Sequence, residues 1–229
     1  MGTIPQVRKH ITARLSALRS VIEPSISSYN LNISGMPRPS MDMSSSVESE
    51  LAAIRPLDEL ERAHLDDALG WVASGAQLYR VQKPATPPKH LVSYFAVIDS
   101  EYVLLVDHRN AQLWLPTGGH VEPDESPRTT VVRELEEELG LVVEVDQIGP
   151  PVMVTVTETV GLTRGHTDVS LWYAVTVSRE AELSYDPAEF HSVRWFHFSE
   201  VPLERSDPHM GRFLEKLRGV AADCGASAS

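Results

Sequence analysis

Four glutamates crowd into the run Arg133-Glu134-Leu135-Glu136-Glu137-Glu138, and their spacing decides what they can do. On a helix, Glu134 and Glu138 stand one turn apart on the same face, and Glu137 lies three positions from Glu134. Three carboxylates then converge near one point. Like charges that close repel each other, and the repulsion is offset by proton uptake, by a neighbouring cation such as Arg133, or by a divalent metal. Hard oxygen donors at this spacing suit Mg²⁺ or Mn²⁺, with waters and substrate phosphates completing an octahedron. An isolated glutamate run is more often a solvated helix face. Here the context differs, because Trp114-Leu-Pro-Thr-Gly-Gly-His-Val-Glu-Pro-Asp-Glu125 runs just upstream. Its glycines, Gly118 and Gly119, let backbone approach an anion or a metal, and the helix that follows presents its positive end to negative charge.

Positioning these groups requires a helix with a defined start and stop. Ser126 caps it, Pro127 suits its first position, and Gly140 follows its last turn. Val131, Leu135 and Leu139 then form a buried stripe, with Val132 beside it. Around this helix lie segments rich in β-branched and aromatic residues: 90–98, 102–108, 142–148, 152–160, 169–177 and 193–198. A last helix is expected over 208–222. Mixed strands with helices on both faces predict an α/β sandwich. Further upstream, Leu57, Leu60, His64, Leu65, Ala68, Leu69 and Val72 recur at helical spacing up to Gly75 and predict an amphipathic helix within 56–80 that docks on the catalytic domain. Residues 35–46, rich in Pro, Gly and Ser, read as a linker. The expected organisation is an extension and linker over 1–55, that helix, a catalytic domain over 81–223 and a tail over 224–229.

The spacing Gly119, five residues, Glu125, seven residues, then Arg133-Glu134-Leu135-x-Glu137-Glu138-x-Gly140-Leu141 resembles the Nudix box, and all of its fixed positions match. The resemblance implies a Nudix-type α/β/α sandwich with a mixed sheet and an N-terminal helical extension. It also implies a divalent-metal-dependent hydrolase of a nucleoside diphosphate linked to a moiety X. Carried onto this chain, Glu134 and Glu138 are the expected metal ligands, with Glu137 a third and a carbonyl of the Gly118-Gly119 loop, Gly119 first, a fourth. Mg²⁺ is the expected ion, with Mn²⁺ able to replace it. The general base is not fixed by the box. Glu134, Glu125, and the later Glu158 and Glu189 are the candidates. Arg133 is expected to orient Glu137. His120 and Trp114 are the side chains best placed to meet substrate, the indole by stacking on a base.

Other residues carry weaker signals. His166 and Asp168 precede a strand and can sit at the mouth of the site, though turn chemistry accounts for them equally well. Lys83, Lys89, His90 and Arg109 can meet phosphates but read first as solvated surface. Neither a Ser-Gln-Pro-Trp-Pro-Phe-Pro type array nor a proline about sixteen positions past Gly140 is present; Val156 and Thr157 stand there instead. By resemblance this leans away from NADH and ADP-ribose and towards a nucleoside triphosphate or a related small nucleotide. The alternative is a nucleotide-sensing regulator of the same fold that does not turn its ligand over. An isoprenoid diphosphate isomerase fits less well, because Cys224 sits in the terminal segment.

Composition narrows the partners. With 20 basic and 32 acidic residues the formal net charge is −12, which opposes nonspecific binding to nucleic acid or to an anionic membrane. A polyanionic substrate then needs a bridging cation. A single cysteine among 229 residues excludes an intrachain disulfide, and a reducing, cytoplasmic setting is the expectation. The start is basic and Ser-rich without an apolar secretory run, which reads as an extension that packs on the domain or mediates homodimerisation.

Overall fold

Alternation along β1 (Lys89–Asp99) sorts its side chains to two faces, with Leu91, Phe95 and Val97 entering one apolar core and Ala96 the other. The structure, a computed structural model, describes residues 43–83, 86–159 and 165–226. All of these belong to one unit, Met41–Ser229. Residues 1–42 of the extension and linker expected over 1–55, Val160 of the expected strand and residues 227–229 of the expected tail lie outside the described residues. After β1 come β2 (Tyr102–His108), β3 (Leu113–Leu115), β4 (Thr117–His120), β5 (Met153–Glu158), β6 (Thr167–Thr176) and β7 (Phe190–His197). The sheet runs β3-β2-β1-β6-β5, with β4 pairing β1 and β7 pairing β2. Only β1 and β6 pair in parallel among these neighbours, with His90 opposite Asp168.

Helices cover both faces, as a sheet apolar on each side requires. On one face lie α1 (Met43–Ala53), α2 (Glu59–Ala73) and α3 (Pro127–Leu139); Val47, Leu51, Leu65 and Val72 share a core with Val131, Leu135 and Leu139. On the other, α4 (Met210–Ala226) packs Phe213, Leu214 and Leu217 against Trp172 and Phe196. The α3 boundaries agree with the sequence signals. Ser126 Oγ accepts from the Thr129 N–H, Pro127 opens the helix, and Gly140 closes it at φ 68°.

Several expectations are corrected. The segment read as linker up to residue 46 already contains the first turn of α1, whose Glu50 side chain is only 10% exposed and forms a bidentate pair with Arg128 at 2.6 and 3.1 Å. The apolar stripe of α2 is rotated: Leu57 and Leu60 are exposed, while Glu61, Leu65, Ala68 and Val72 face inward. The position of Glu61 has a cause, for it accepts from the Leu57 N–H at 2.7 Å and from Lys216 of α4. The expected strand over 142–148 is instead irregular with a single 3₁₀ turn, Val145–Gln147, because Glu144 and Gln147 cap each other and Val142 points to solvent. The tail expected from 224 is helical to Ala226. Conversely, the glycine loop is not a bare loop, since β4 gives it a register against β1.

Candidate active site

β4 sets Gly118 opposite Tyr94 and Gly119 opposite Ser93, bringing the backbone of both glycines against α3 at Glu134 and Glu138. Glycine is required at each for closeness of approach. A Cβ on Gly118 would lie 2.7 Å from the Ser93 carbonyl oxygen, and one on Gly119 only 1.8 Å from Glu134 Oε1. The Glu134 carboxylate thus occupies the space that any side chain at 119 would need.

Arg133 ties the acidic face together. Its guanidinium donates to Glu125 through two bonds of 3.0 Å, to Glu134 Oε1 at 2.6 Å, to Glu137 Oε2 at 3.4 Å and to the His120 carbonyl at 3.3 Å. The bonds it donates to Glu125 and Glu134 hold the guanidinium charge still more firmly than usual, raising the group above its ordinary value. Glu125 also accepts from Thr130 Oγ1 at 2.8 Å. Burial works against the charge on Glu125, but the bonds from Arg133 and Thr130 outweigh it and hold the carboxyl below its ordinary value. This geometry makes Glu125 a clamp for Arg133, with its oxygens turned to their donors. At Glu134 the balance tips the other way, and burial raises the carboxyl despite Arg133. Glu137 is the most exposed of the group, at 62%.

Glu138 stands apart. Its Oε2 is buried without a hydrogen-bond partner. Burial, with Glu134 and Glu189 nearby, pushes its carboxyl up to about 9, offset only in part by a bond from Gly118. A carboxylate so placed takes either a proton or a cation. A cleft of about 230 Å³ opens here, lined by Tyr94, Leu115, Gly118, Gly119, His120, Glu138, Asp168 and Glu189 among others. An orphaned buried carboxylate oxygen beside two further carboxylates, facing close-set backbone, is a donor set that fits a hard divalent cation.

The other expected residues are placed as follows. Glu189 lines the cleft with Glu138, whereas Glu158 lines a separate hollow with Pro88, Gly165, His166 and Thr167. Trp114 is not among the residues lining the cleft. Strand alternation sends its neighbour Leu115 there and turns the indole edge-on to Phe196, 4.9 Å between centroids. Arg109 donates to the Pro187 carbonyl at 2.7 Å, and Lys89 pairs with Asp67 at 2.9 Å. The surface reading of His90 is overturned: its side chain is fully buried, in contact with the rings of His120 and His166. Burial lowers His90, and burial with Arg80 close by lowers His120 to about 3. Sequence reasoning also missed Tyr94, a half-buried cleft residue standing edge-on to Trp172, because an aromatic inside a strand reads as core.

The fold and this site define a class: an α/β/α sandwich whose acidic helix, entered from a glycine-bearing strand, presents a buried carboxylate to a cleft. The NUDIX domain profile matches residues 88–217, and the chain belongs to that family. It is 33% identical over 141 residues to a MutT-like protein of Streptomyces ambofaciens, a match spanning 61% of this chain and 84% of that one. It is 49% identical over 51 residues to the CTP pyrophosphohydrolase of Escherichia coli, spanning 20% of this chain and 38% of that enzyme. Among solved structures, the Escherichia coli ORF135 protein aligns with a TM-score of 0.47 at 27% identity, covering 60% of this chain and 94% of its own. Among the described residues no helix is long and apolar enough to cross a membrane.

Proposed function

We propose that this chain is a Mg²⁺-dependent pyrophosphohydrolase that cleaves a phosphoanhydride of a small nucleotide, a nucleoside triphosphate foremost, with Mn²⁺ able to replace Mg²⁺. The observation that carries the reading is the buried, unpartnered Oε2 of Glu138 facing a cleft bordered by Gly118 and Gly119. Family membership and the pyrophosphohydrolase named among the relatives support the reaction class. Glu134, Glu137 and Glu138 hold the cation, with a Gly119 carbonyl as a further donor. When bound, the ion neutralises phosphate charge and polarises the anhydride.

The chain's own residues do the rest. Arg133, locked by Glu125, keeps Glu134 pressed against Gly119 and steadies the strand end through the His120 carbonyl. The β4 backbone brings the glycines within reach of phosphate, and His120 borders the same cleft. Glu189 is the carboxylate proposed to accept the proton of the attacking water, as it shares the cleft with Glu138 and neither Arg133 nor a helix holds it there.

The test is release of phosphate and pyrophosphate from a panel of nucleoside triphosphates, nucleotide sugars, ADP-ribose and dinucleoside polyphosphates, with Mg²⁺, Mn²⁺ or chelator. Metal-dependent turnover of at least one nucleotide is expected. Tight nucleotide binding with no turnover across the panel replaces the hydrolase with the non-catalytic regulator.

A further inference from the structure

A second constellation is built around the same sheet and uses none of the fixed positions of the Nudix box. His90 and Asp168 face each other across the parallel β1–β6 pair, and His120 sits opposite Val92, two residues along β1 from His90. His166 lies just before β6. One ligand atom from each of the four falls within 4.8 Å of all the others. Asp168 Oδ1 lies 3.3 Å from His166 Nε2, 3.4 Å from His90 Nε2 and 4.0 Å from His120 Nε2. Donors held about 2.0 Å from a tetrahedral zinc ion are separated by about 3.3 Å, so two of these edges already have the required length and the third is slightly long.

The hydrogen bonds explain why a cation belongs at the centre. The Nδ1 of His90 bonds the Pro87 carbonyl at 2.9 Å and is therefore its N–H, which leaves Nε2 of the neutral ring as a lone pair aimed at a carboxylate oxygen. Neither atom has a hydrogen-bond partner, and both are buried. Two acceptors confronting each other inside a protein need something electropositive between them. His166 Nδ1 is likewise engaged, 3.2 Å from Thr159 Oγ1. Imidazoles anchored through Nδ1, with Nε2 converging, have the outer support that metal-ligating histidines carry. One contact opposes loading: Arg80 Nη1 lies 3.1 Å from His120 Nε2, so that guanidinium must swing aside to release the lone pair.

We propose that His90, His120 and His166, through Nε2, and Asp168, through Oδ1, form a four-coordinate site for zinc or a similar transition-metal dication, distinct from the glutamate site. Three nitrogens and one carboxylate suit zinc and are poor ligands for Mg²⁺. Because all four positions come from protein, the site is a structural one. It pins β1, β4 and the start of β6 together, and fixes the strand that carries Gly118 and Gly119.

The test uses the tag-free full chain, stripped by chelator and then titrated with Zn²⁺ or Co²⁺ in excess Mg²⁺. Expected are one equivalent bound, the intense visible bands of tetrahedral Co²⁺, and a thermal midpoint raised by several degrees. His166→Ala and Asp168→Asn are expected to weaken binding by about 100-fold or more, while Glu138→Gln leaves it intact. Wild-type protein that takes up neither ion overturns the proposal. Uptake lost in Glu138→Gln but kept in Asp168→Asn overturns it too, placing the ion on the glutamates. Neither outcome depends on whether nucleotides are hydrolysed.

Discussion

Replacing Glu138 by Gln should cut turnover sharply and, unlike most active-site substitutions, strengthen the metal-free fold. In the metal-free protein the Glu138 carboxyl is pushed from its ordinary 4.5 to about 9, chiefly by burial. Between those two values the folded state holds a proton that the unfolded chain has released, so stability falls as pH rises from about 4.5 and levels off only near 9. Each pH unit in that window costs about 1.4 kcal/mol, or about 3 kcal/mol by pH 7. Glutamine carries no such proton and nearly the same volume. Chelator-treated Glu138→Gln should therefore resist urea better than wild type at pH 8, by about 4 kcal/mol or more, and match it near pH 4.5. Its Mg²⁺-dependent kcat should fall by about 100-fold or more, because the lost charge is a proposed metal ligand. Urea unfolding at several pH values, alongside phosphate release, reads both effects. Equal stability of the two proteins across that range, or retained turnover, refutes the reasoning.

Three further outcomes follow from the same geometry. Gly119→Ala puts a methyl where the Glu134 carboxylate sits and should lower kcat by about tenfold or more with little change in thermal midpoint, as read by kinetics and calorimetry. Glu189→Gln should lower kcat more than it raises KM; an unchanged kcat excludes it as the base. Glu61→Gln strips a buried partner from Lys216, whose ammonium is disfavoured by burial and held by Glu61, and should cost about 3 kcal/mol in urea unfolding. A loss below about 1 kcal/mol shows that the Lys216 bond to the Arg55 carbonyl suffices.

What the sequence reveals follows how local each signal is. Helix α3 is legible to the residue because Ser126, Pro127 and Gly140 act within a turn of themselves, and its buried stripe needs only a period of 3.6. The acidic cluster is legible for the same reason. By contrast, α2 misleads, since Glu61 is drawn inward by a lysine 155 positions away and no local rule places a glutamate in a core. The strand expected over 142–148 fails because alternating valines resemble a strand whether or not a neighbour offers an edge. The histidine cluster is invisible to spacing, as residues 90, 120 and 166 meet only through the register of β1 with β4 and β6. A side chain that reads as solvated in one dimension turns out to be sealed in three.

The docking of α1 on the start of α3 also bears on what can be cut away or transplanted. The family profile begins at residue 88, yet Val47, Leu51, Leu65 and Val72 fill the same core as the inner stripe of α3, and Glu50 grips Arg128 in its first turn. The portable unit is thus longer than the recognisable one. A fragment trimmed to the familiar motif would keep every signature residue while leaving the rear of its catalytic helix greasy and unbraced, prone to self-association before it ever met a nucleotide. Heritable change in α1, which shares a core with the inner stripe of α3, is accordingly in a position to tune that helix from behind.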